Sequence, residues 1–157
     1  MTNIKLDIFQ AIRNSEINVY EKNISNFNIN MINKFGQSLL HEAIIYKQHD
    51  IALDLLKRDI DVNIQDNKGQ TVLHFISFYP DAILAEHILE KGGNLELIDS
   101  YGNTALWYAV FNARGKYEIV KLFMKYKSNQ LVKNKSGRSP TDFAKQIKDE
   151  LLLDILK

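Results

Sequence analysis

The sequence predicts an all-α solenoid, in which short helix–loop–helix units stack side by side with hairpin-like fingers between them. Three observations predict it. Gly36, Gly69, Gly102 and Gly137 recur at spacings of 33, 33 and 35 residues. Two residues after each comes a hydroxyl side chain: Ser38, Thr71, Thr104 and Ser139. Apolar residues then recur at helical i, i+3, i+4 spacing, as in Leu40, Ala43 and Ile44 or Leu106, Ala109 and Val110. A fixed period of this length marks units that cannot bury their apolar faces alone and must do so against one another.

Each element follows from its residues. Asp66-Asn-Lys-Gly69 and Asp99-Ser-Tyr-Gly102 read as turns, opened by a carboxylate and closed by a glycine free to take positive φ. The hydroxyl after each glycine stands where a helix N-cap is wanted, and Pro140 follows Ser139 at the first helical position, where its missing N–H costs nothing. A second helix is expected at residues 50–57, 81–91 and 117–127, with Ile51, Leu84 and Ile119 in matching places. Two extra residues fall near 112–116, between the helices of the fourth unit, where an insertion leaves the register intact. Residues 62–64, 95–97 and 131–132 alternate like short extended arms into the next turn. The first unit is less regular: Ile8, Ala11 and Ile12 precede Leu40, Ala43 and Ile44 by 32. The last ends at Glu150-Leu-Leu-Leu-Asp-Ile-Leu156 with no further arm. One domain of five units is expected, bounded at about 1–32, 33–65, 66–98, 99–133 and 134–157, the outer two serving as caps.

Gly69-Gln-Thr-Val-Leu-His74, Asp61-Val-Asn63 and Glu118-Ile-Val-Lys-Leu122 carry a resemblance to the ankyrin repeat, whose pattern runs Gly-x-Thr-Pro-Leu-His, a second helix, then Asp-Val-Asn. It covers nearly the whole chain. The resemblance implies that His41 and His74 support the turns by hydrogen bonding to the neighbouring loop. It also implies a concave groove, lined by fingertips and the exposed side of each first helix, that grips a protein partner. Carried to this sequence, the groove residues are Phe35, Lys68, Tyr101, Asn103 and Arg138 from the fingers. From the first helices come Glu42, Tyr46, Phe78, Tyr79, Trp107, Tyr108, Phe111 and Asn112. Trp107 stands where the other units have His41 and His74. Aromatic rings at such a surface suit an interface, because they bury large area at little rotamer entropy; the competing reading packs them between helices, an even choice for Phe75 and Phe111.

Composition excludes several other functions. The chain has no cysteine, hence no disulfide, thiolate metal site or cysteine nucleophile. His49 and His87 have no partner at metal-ligand spacing, and no phosphate loop, dinucleotide fingerprint or Gly-x-Ser-x-Gly occurs. No catalytic residue, metal, cofactor or small-molecule substrate is therefore expected. Residues 1–7 show no signal peptide, and no apolar run could span a bilayer, so a cytoplasmic protein is expected, monomeric until complexed. Net charge is +1, yet residues 1–109 hold nine Lys/Arg against fourteen acids and residues 110–148 ten against two. This predicts polarity along the solenoid. The basic stretch reads as a solvated charge run rather than a nucleic-acid footprint, because Lys121 and Lys125 on a helix and Lys135 and Arg138 on a finger point different ways. A third reading sets that finger against an acidic rim of the partner while the acidic first half of the chain meets a basic one. The functional expectation is a module that inhibits a partner by occlusion, with a bacterial toxin-neutralising immunity protein as one instance. The alternative is a non-inhibitory scaffold or effector linking cellular proteins.

Overall fold

The structure, a computed structural model, describes residues 7–157; residues 1–6, read above for a leader, lie outside the described residues. Helices α1 (Ile8–Arg13) and α2 (Ile17–Asn23), followed by a 3-10 turn (Ile24–Asn26), form the first pair. Pairs α3 (Leu39–Ile45) with α4 (His49–Lys57), α5 (Val72–Ile76) with α6 (Ala82–Glu90), and α7 (Ala105–Asn112) with α8 (Glu118–Lys125) follow. The last pair is α9 (Pro140–Gln146) and α10 (Glu150–Ile155). The first helices α1, α3, α5, α7 and α9 pack each on the next as an inner row, and α4, α6, α8 and α10 do so as an outer row.

The N-caps stand where the spacing places them. The hydroxyls of Ser38, Thr71, Thr104 and Ser139 cap α3, α5, α7 and α9. Between the rows run columns of buried residues one repeat apart: Leu40, Leu73 and Leu106; Leu55, Ile88 and Phe123. Burying each such side chain contributes about 2 kcal/mol. Helices of this length are unstable in isolation, so packing between repeats is what keeps them helical. The two added residues of the fourth unit lie in the loop between α7 and α8, where Arg114 and Gly115 take positive φ.

The fingers are built by one hydrogen-bond pattern repeated four times. Asp66 Oδ1 accepts from the Lys68 and Gln70 N–H groups at 2.8 and 2.9 Å, and Asp99 Oδ1 from those of Tyr101 and Asn103, both at 2.9 Å. Asn33 and Asn134 do the same for their own turns. Successive fingers are joined: Asn67, Ser100 and Lys135 donate their N–H groups to the carbonyls of Phe35, Lys68 and Tyr101. At Gly69, with φ of +78°, a Cβ would meet the Asp99 Cα of the next finger at 3.1 Å. Glycine is needed there both for the turn and for the approach of its neighbour.

The expected extended arms do not form. Among the described residues the β-pairing is one isolated bridge between Ile32 and Ser38. Asp61, Asn94 and Asn129 each accept the N–H two residues on, at Asn63, Glu96 and Leu131, and so curl the chain into turns where alternation suggested extension.

Candidate binding surface

Register places the inner-row residues in columns. Glu42, Phe75, Tyr108 and Phe143 are one column, and Ile45, Phe78, Phe111 and Gln146 the next. Aromatic rings fill both columns in the middle of the stack and pack across repeat boundaries. His41 meets Phe75 edge-on at 5.3 Å, His74 meets Tyr108 at 6.0 Å, and Trp107 meets Phe143 at 6.0 Å. Trp107 also stacks on Phe111 at 5.2 Å and 15°, and Phe111 reaches Phe143 at 5.2 Å. Phe78 lies 4.9 Å from Tyr108. The result is a continuous aromatic ridge across α5, α7 and α9.

Its rigidity comes from the histidine positions. His41 Nδ1 accepts from the Ser38 N–H at 3.1 Å, which leaves the proton on Nε2 to donate to the Gln70 carbonyl at 3.2 Å. His74 repeats this with Thr71 and the Asn103 carbonyl, both at 3.1 Å. Each imidazole therefore caps its own helix and ties it to the next finger. Burial keeps both neutral: the His41 pKa is pushed down to about 4, against the raising influence of the Gln70 bond, and His74 is lowered for the same reason. Asp142 takes the place in the last unit, accepting from the Ser139 N–H at 3.0 Å. Trp107 is different. Indole has no acceptor, and its buried Nε1 finds no hydrogen-bond partner. The ring packing across the boundary is kept and the polar tie is lost.

The thirteen expected groove residues divide by depth. Phe35, Tyr46, Phe78, Tyr101 and Phe111 are exposed by 44 to 61%, and Lys68 and Arg138 are exposed too. Tyr79, Trp107, Tyr108 and Asn112 are half-buried. Tyr79 walls a cavity of about 290 Å³ with Ile44, Phe78, Pro80 and Leu84, beside a 2.6 Å pair between His49 and Asp81. The Tyr108 hydroxyl donates to Asp99 Oδ2 at 2.6 Å, and its pKa is pushed up to about 12, first by burial and then by that bond. The Asn112 side-chain amide is buried without a partner.

Glu42 and Asn103 correct the sequence reading, for neither is at the surface. Glu42 is 2% exposed, takes Arg13 of α1 at 2.6 Å and Asn33 at 3.3 Å, and is raised in pKa by burial over the opposing pull of Arg13. Asn103 is 6% exposed; its Nδ2 donates to the Tyr108 hydroxyl and its Oδ1 accepts from Asn134 of the next finger at 2.8 Å. Phe143, missed above, joins the ridge. Its signal was the register itself, 35 residues after Tyr108.

Known families fit this geometry. A model of ankyrin repeats in three copies matches residues 52–135, and a single ankyrin-repeat model matches residues 35–67. The chain belongs to the ankyrin repeat family. No curated protein matches it. The ankyrin repeat is a protein-interaction module, and the chemistry present accords with one. Among the described residues no three metal-ligating side chains cluster, and no helix is long and apolar enough to cross a membrane. The ankyrin histidines carry the tie to the neighbouring loop that the resemblance implied.

Proposed function

We propose that this chain is a protein-binding inhibitor: its groove seats one partner protein and covers the surface through which that partner acts. The observation that supports it is the ridge from Phe78 to Phe111. Its rings are half-exposed yet fixed against one another, so they offer apolar area with little entropy left to lose. Tyr101 and Phe35 extend it along the fingertips. An exposed surface of this kind can bind a partner by covering it. The free protein is monomeric in this reading and cytoplasmic in location. Its specific form is an immunity protein neutralising a bacterial toxin.

Capture from the native cell tests this. One stoichiometric protein partner, enzymatically silent in the complex and active once released, is the expected outcome. Replacing Tyr101 and Phe111 together by alanine should weaken that complex by several kcal/mol, since anchor truncations cost about 2–4 kcal/mol each. A partner fully active in the complex would establish the scaffold reading instead.

A further inference from the structure

Charge is sorted across the width of the stack as well as along it. From each finger turn to the loop between its two helices (residues 33–48, 66–80, 99–116 and 134–148) the repeats hold nine Lys/Arg against four acids. The complementary stretches (16–32, 49–65, 81–98, 117–133 and 149–157) hold nine against fourteen. The four inner acids are already engaged. Glu42 is buried against Arg13, Asp66 and Asp99 each hold two backbone N–H groups of their own finger, and Asp142 caps α9. All nine inner cations are exposed, and among the described residues none is in an ion pair. Lys34, Lys68 and Lys135 stand exposed on the first, second and fourth fingertips, and Arg138 at the base of the fourth finger. From the first finger to the last the inner face is thus cationic and aromatic; on α1, outside this count, exposed Asp7 lies 3.5 Å from Arg13.

From this we propose that the groove's occupant is an acidic stretch of a protein, with Asp and Glu set among apolar residues. The apolar residues would lie on Phe78 and Phe111 and the carboxylates toward the fingertip cations. This rests on the groove reading above and adds the chemistry of the partner. Charge complementarity of this kind steers encounter and rejects basic surfaces. Nucleic acid fits less well. Base stacking needs a free ring face, and Trp107 and Phe111 spend theirs on each other at 15°. Backbone N–H groups of Asn67, Ser100 and Lys135, which could otherwise cradle phosphate, are spent on the preceding finger.

The test selects random peptides of about sixteen residues, displayed on phage, against the whole protein. Binding of the selected peptides is then measured to three variants: Lys34→Glu/Lys68→Glu/Arg138→Glu, Phe78→Ser/Phe111→Ser, and, on the outer face, Lys91→Glu/Lys121→Glu. Selected peptides are expected to be rich in Asp and Glu and poor in Lys and Arg. Their affinity should fall about tenfold or more in the first variant and in the second, and hold in the third. Circular dichroism confirms that each variant is folded, and single Lys→Glu changes replace the triple set if it is not. Neutral or basic peptides that still need Phe78 and Phe111 would leave the groove standing and overturn the acidic partner. Peptides indifferent to both inner variants would overturn the groove as well. A single-stranded oligothymidine binding more tightly than the peptides, or concentration-dependent polymers that set one copy's acidic outer face in another's groove, would also overturn the proposal.

Discussion

Acidification should loosen this protein through its buried imidazoles before its carboxylates protonate. His41 is fully buried, accepts one backbone hydrogen bond and donates another, and its pKa in the folded chain is pushed down to about 4 from an ordinary 6.5. Between those values the unfolded chain binds a proton that the folded chain refuses, so stability is full above pH 6.5 and falls as pH drops toward 4. The difference is worth about 3 kcal/mol across the whole window, of which about 2 kcal/mol is lost between pH 7 and pH 5. His74 adds to the loss in the same direction. The assay is urea unfolding, followed by circular dichroism at both pH values, for the natural chain and for His41→Phe. The variant starts lower, by about 2–4 kcal/mol, because the Ser38 N–H loses its acceptor and Gln70 its donor. Its further loss on acidification should be smaller than the natural chain's by about 2 kcal/mol. Nuclear magnetic resonance of the His41 ring provides the same check without a mutation, with no titration expected down to pH 5. Equal pH dependence in the two proteins, or a His41 ring that titrates near 6.5, would refute the reasoning.

Three further outcomes follow from the geometry. Gly69→Ala should destabilise by about 2 kcal/mol, measured by chemical unfolding, since a side chain at φ +78° is strained and its Cβ presses on the Asp99 backbone. Lys127 sits just past α8 at φ +61°, where the preceding repeat has Gly92; Lys127→Gly should therefore stabilise by about 1 kcal/mol and raise the melting temperature. Arg13→Ala should destabilise by about 2–3 kcal/mol at pH 7, because Glu42 stays buried with its cation gone, and by less at pH 4, where Glu42 can take up a proton.

The repeats were legible because the signals that set them are local. A turn carboxylate, a glycine, a hydroxyl cap and a helical period each lie within one unit, and each recurs at the same offset. Depth across the stack was not local. Glu42 occupies the same column as Phe75, Tyr108 and Phe143, and only the presence of Arg13 on α1 makes it a buried ion-pair member. Asn103 looks like a fingertip residue until Tyr108 and Asn134 close over it from two other elements. The second sorting of charge was hidden for the same reason. Counted along the chain, charge divides at residue 109; the fold also interleaves inner and outer halves of every repeat and so sorts it between two faces. Phe143 needed only the register to be carried one unit further.

Trp107 has a consequence for how the molecule comes apart. Two junctions in the middle of the stack are latched by an imidazole, whereas at Trp107 the one between α7 and α9 has ring contact in its place, held further by the Asn134–Asn103 finger bond and, on the outer row, by Tyr117 donating to Asp149 at 2.7 Å. The C-terminal pair should accordingly fray first, exchanging its amide hydrogens sooner than α5 or α7. A guest molecule laid across Trp107 and Phe143 would staple that loose end, so occupancy would be felt as slower exchange in α10, a helix on the far side from the guest.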